Sequence, residues 1–147
     1  MSVASSRLDV FAIRLEPGAD VRQSLEAIAR TRYITAGVVL GAVGSLSQTR
    51  LRFAGQNEHT HLEGKHEILS LAGMLSETGV HLHMCVSNTA GQCIGGHVVY
   101  GCVVYTTLEL VIGSMPAIIF DRELDTTTGF PELLIRANGA IANPDSE

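Results

Sequence analysis

The chain has 147 residues, 46% of them hydrophobic and 17% charged, with a formal net charge of −5. That length suits one domain able to bury about two-thirds of its unfolded surface, and the composition excludes a disordered chain. Charge is scarce beside the ~25% usual for a soluble domain, so part of the surface is expected to be hidden in an oligomer.

Residues 8–15 are rich in strand formers and stop at the turn signal Glu16-Pro17-Gly18. Asp20 then caps a helix, with Gln23 at the reciprocal capping-box position and Val21, Leu25, Ile28 and Ala29 as its apolar stripe. Residues 35–43 read as a buried strand, and Gly41, Gly44 and Ser45 mark a bend or a close backbone approach. Leu51 and Phe53 alternate with Arg50 and Arg52, which predicts a half-buried strand with a wet face. Residues 56–65 are polar, a loop or edge strand. Residues 68–75 and 80–86 are strands joined by a turn at 76–79, and 87–91 is a further turn. Residues 98–112 predict one long central strand and 117–120 a short last one. Residues 126–130 are turn-like, 131–136 a helical turn, and 137–147 a flexible tail. Runs of strands with one clear helix define a single α+β domain over residues 8–136, mainly antiparallel.

Cys85, Cys93 and Cys102 cannot all pair within one chain, and residues 1–7 lack the apolar core of a secretion signal. Reduced thiols and a cytoplasmic location are expected. The most apolar stretch, 101–120, is interrupted by Glu109 and Pro116, so no membrane span is expected. Lys65 is the single lysine, and no basic stripe exists. Direct DNA binding is disfavoured by the charge.

His81-Leu82-His83 lies within a predicted strand, where positions i and i+2 share a face, so both imidazoles project the same way. His97 follows Gly95-Gly96, and a hairpin-like return through 87–91 brings it back towards that face. Three histidines with a fourth position open is the pattern of an accessible zinc site. Cys85 continues the same face as a further donor or as a small buried residue. The alternative is that the rings are structural groups. His59 and His61 stand in a polar, acidic stretch and read as solvated loop.

On these residues the chain resembles the plants-and-prokaryotes-conserved (PPC) domain family. The resemblance rests on Leu15-Glu16-Pro17-Gly18, on the segment from Gly41 to Ser45, and on the segment from Gly64 to Leu71. Its most specific parts are His81-Leu82-His83 and the segment from Gly95 to Gly101. It implies an α+β domain with a largely antiparallel sheet and a homotrimeric assembly. Plant members bind DNA through Arg-Gly-Arg-Pro hooks; that tetrapeptide does not occur here. The plant motif Gly-Arg-Phe-Glu-Ile-Leu is matched by residues 64–69, with Lys65 and His66 as departures. Plant members typically lack histidines matching His81, His83 and His97, whereas the stand-alone prokaryotic type resembles this chain.

The expected function is therefore a homotrimer binding a divalent metal, zinc foremost, through His81, His83 and His97, in a binding or regulatory role linked to DNA through partners. The alternative is a metal-dependent hydrolase or lyase with Glu67 as base and Tyr100 and Arg122 orienting an anionic substrate. Arg50 and Arg52 are expected to be a solvated strand face.

Overall fold

A computed structural model describes residues 3–139 of the chain. Val21, Leu25 and Ala29 recur every four residues and are fully buried, so α1 (Val21–Thr31) lays one stripe on the sheet. Its start is held by Asp20, whose carboxylate accepts from the Gln23 backbone N–H at 2.9 Å, as the capping pattern predicts.

Before the helix comes β1 (Asp9–Leu15), and after it the long β2 (Gly37–Arg52), β3 (Thr60–Leu62), β4 (His66–Ser76), β5 (Gly79–Ser87), β6 (Cys93–Val98) and β7 (Val103–Ser114). The order across the sheet is β1-β7-β2-β4-β5-β6, antiparallel throughout, and β6 returns to pair with the end of β2. A separate hairpin joins β8 (Ile118–Leu124) to β9 (Pro131–Ala137). The result is a single α+β domain.

The two strands expected around residues 35–43 and 50–53 are one strand. Register breaks at Val39/Gly41, Gly44/Leu46 and Leu46/Gln48 bend β2 without ending it. Gly44 is the close approach: a Cβ there would collide with the Thr107 carbonyl oxygen. The bend lets the first part of β2 sit between β7 and β4 while its end meets β3 and β6.

Residues 98–112, expected as one strand, are divided between β6 and β7. Gly101 adopts φ +101° and donates its N–H to the second Asp20 oxygen at 2.6 Å. The Cys102 carbonyl accepts from Val21 N–H at 2.9 Å. The start of the helix thus takes backbone groups that a continuous ladder would use, which β-rich composition alone does not reveal. Residues 131–136 form no helical turn. They pair with β8, Phe120 opposite Ile135, and Leu133 and Ile135 pack on Ala36, Ile118 and Phe120. Covering that satellite cluster outweighs a single isolated turn of helix. Of the expected tail, Ala137 ends β9, and Asn138 N–H donates to the Ala117 carbonyl at 2.8 Å. Residues 140–147 lie outside the described residues.

The core lies between α1 and the inner sheet face, where Leu46, Leu51, Leu75, Leu82, Leu108 and Ile112 are buried. The outer face of β1, β7 and β2 also shows apolar side chains, with Val10, Leu40, Val43 and Val111 exposed beside Arg14 and Glu109. Among the described residues no helix is long and apolar enough to cross a membrane. The three cysteines are free thiols, and burial pushes Cys102 up to about 11.

Candidate metal centre

Along β5, Val80, Leu82, Met84 and Val86 point into the core, so the alternate residues His81 and His83 stand outside. The next turn sets the third ring. Asn88 Oδ1 accepts from the N–H groups of Ala90 and Gln92, both at 3.0 Å, and Gly91 takes φ +76°. That tight return fixes the register of β6 so that His97 lies opposite His83.

One ring nitrogen from each of His81, His83 and His97 lies within 4.8 Å of the others. His83 Nε2 and His97 Nδ1 are 3.0 Å apart. The His81 and His97 rings stack at 5.4 Å, and His83 stands edge-on to both. Two nitrogens on one tetrahedral zinc are separated by about 3.4 Å, given Zn–N bonds of ~2.0–2.1 Å. Small side-chain rotations therefore bring this donor set onto one ion. Three neutral imidazoles would supply the ligands and leave a fourth position open. Cys85, opposite Gly95, is not part of the converging group.

The remaining candidates fall elsewhere. Glu67 is exposed on β4 opposite Ser87, four residues past His83, or roughly 13 Å along the strand at ~3.3 Å per residue. Tyr100 donates to Glu26 Oε2 at 2.7 Å, and Glu26 Oε1 binds Arg22 Nε at 2.9 Å. Arg22 in turn donates to the carbonyls of Val98 and Val80, at 3.1 and 3.3 Å. Tyr100 therefore steadies Arg22, which pins the helix to β6 and β5 beside the histidines. His66 is buried against Thr49 Oγ1 at 3.2 Å, and His61 lies on β3, away from the cluster.

Arg122 does lie near the histidines. An open groove of about 690 Å3 runs past His81 and His97 and is lined by Arg22, Arg52, Arg122 and Glu132, among others. Burial, then Arg122, then His83 lower the His81 pKa below its usual value; burial and then Arg52 do the same to His97. Sequence reasoning placed Arg52 on a solvated face. The missing signal was long-range: β2 pairs with β6, which sets Arg52 opposite His97.

The lowered pKa values of His81 and His97 keep those two rings neutral further into acid, and only neutral rings bind metal. Zinc affinity is therefore expected to hold as pH falls to about 6.5, the ordinary imidazole value, and to drop below it. The ion-free protein should lose stability over the same range, because the unfolded chain takes up protons first as the pH falls. Titration of zinc between pH 7.5 and 4.5 checks this; undiminished affinity at the acid end would exclude histidine ligands.

Fold and site together define a small antiparallel α+β domain carrying a three-histidine group, with His81 and His83 exposed and His97 half-buried. The family model "Plants and Prokaryotes Conserved (PCC) domain" matches residues 3–116, and the chain belongs to that family. Two proteins of Synechococcus strains called bifunctional protein GlmU are 46% and 47% identical over 129 and 139 residues. Those matches cover 88% and 95% of this chain but only 20% and 22% of the relatives, so the chain spans about a fifth of their length. A hypothetical protein of Salmonella has the same fold, with TM-score 0.89 and 42% identity over 91% of this chain and 97% of that one. A protein of Archaeoglobus fulgidus described as metal-containing superposes with TM-score 0.79 at 23% identity, covering 91% and 99% of the two chains.

Proposed function

We propose that this chain is a homotrimeric, cytoplasmic metal-binding domain that holds a divalent ion, zinc foremost, through His81, His83 and His97, in a binding or regulatory role. The convergence of three imidazole nitrogens within 4.8 Å on a rigid β-hairpin carries this reading. The metal-containing description of the Archaeoglobus relative supports it. In the Synechococcus proteins a segment like this chain is about a fifth of a longer polypeptide, which suits a module that binds or regulates. The exposed apolar face of β1, β7 and β2 supports self-association, and the family resemblance supplies the number three. With a net charge of −5, any association with DNA runs through partners. Glu67, the base that a hydrolase or lyase would need, lies away from the histidines, so binding is favoured over catalysis.

Elemental analysis of the purified protein, beside the His81→Ala/His83→Ala double variant, tests the metal. About one ion per subunit is expected in the former and almost none in the latter. Equal metal content in both proteins, or none in either after zinc is offered, would overturn the assignment.

A further inference from the structure

Three of the chain's 10 basic side chains, Arg22, Arg52 and Arg122, line the groove beside His81 and His97. A metal centre has no need of such company. Guanidinium groups near a divalent cation raise its energy unless an anion lies between them. Arg22 is already occupied by Glu26 and two carbonyls. Arg52 and Arg122 are not: each gives one donor to a backbone carbonyl, of Gln56 and Pro131 respectively, both at 3.2 Å. Among the described residues neither forms an ion pair with a carboxylate. Each guanidinium carries five N–H donors, so most remain available.

The two arginines come from separate elements, the end of β2 and the middle of β8, and they flank different histidines. Arg52 is the register partner of His97, and Arg122 lines the groove together with His81. Val99, Phe130 and Pro131 add apolar wall to the same groove. Glu132, its lining carboxylate, accepts from Thr128 Oγ1 at 2.9 Å. The volume lies within the ~300–1,000 Å3 of small-molecule sites.

We propose that the open metal position receives the anionic head, carboxylate or phosphate, of a small organic molecule held between Arg52 and Arg122, with its apolar body against Phe130 and Val99. This rests on the metal site of the preceding section and adds the chemistry of its ligand. Guanidinium suits the role because its fork matches both carboxylate and phosphate oxygens.

Cobalt(II) loaded into the site gives a visible absorption band that responds to exchange of the fourth ligand. Benzoate, phenyl phosphate and the uncharged benzamide are titrated into the cobalt protein and into its Arg52→Gln and Arg122→Gln variants. At least one anion should shift the band saturably while benzamide does not, and each variant should keep the cobalt band but bind that anion at least tenfold more weakly. A response to benzoate alone assigns a carboxylate ligand, and a response to phenyl phosphate alone assigns a phosphate ester. A cobalt band that neither anion moves, or anion affinities unchanged in both variants, would overturn the anion proposal and leave the metal site standing. Failure of the wild-type protein to take up cobalt or zinc would overturn the metal site and the anion proposal with it.

Discussion

Replacing His83 by alanine is expected to weaken zinc binding by well over ~100-fold, because losing even an outer partner of a metal ligand costs 10–100-fold. His83 is the ring that stands edge-on to both others, at 4.9 Å from His81 and 4.3 Å from His97. Without it, two stacked rings remain as ligands. The fold should survive, since the side chain is exposed and the core positions of β5 are Val80, Leu82, Met84 and Val86. Exposed substitutions of this kind usually change stability by within about 0.5 kcal/mol. Competition titration against a chromogenic chelator, beside a denaturant melt of the ion-free protein, separates the two effects. Zinc affinity within threefold of wild type would remove His83 from the ligand set.

A charge at Val43 should break the proposed homotrimer. Val43 is 69% exposed on an outer face that also shows Val10, Leu40 and Val111, the apolar side chains that the proposed self-association would cover. Glutamate there would have to be desolvated at each contact, which costs several kcal/mol per buried, unpaired charge. Sedimentation or light scattering is expected to report a trimer for the wild-type protein and a monomer for Val43→Glu. Because Val43 is opposite Glu109 on β7, the glutamate also faces a like charge within its own chain. Val43→Lys avoids that repulsion and should dissociate the assembly equally. A trimer that persists in both variants would place the interface elsewhere.

Much of the site was legible because its geometry is local. The His81-Leu82-His83 spacing needs only the two-residue period of a strand, and Asn88 and Gly91 mark the turn that returns His97. The helix was legible for the same reason, with Asp20 as cap and Val21, Leu25 and Ala29 as stripe. What escaped depended on distant partners. The break after Val98 arises because Asp20, some eighty residues earlier, captures Gly101. The strand at 131–137 exists because Ile118 and Phe120 need cover. Arg52 joins the groove only once the end of β2 meets β6, a closure that no window of sequence contains.

That closure also bears on how an ion comes and goes. At His97 the backbone is paired on both sides, with His83 of β5 and with Arg52 of β2, and the buried core beneath is built of residues other than the three histidines. In small zinc modules the free energy of binding is consumed in folding the chain. Here the backbone that carries the histidines is already paired, so an ion bound at the proposed centre would spend less of its binding free energy on ordering the chain. An ion held there would be an occupant of a finished surface, and not a rivet that keeps the domain together.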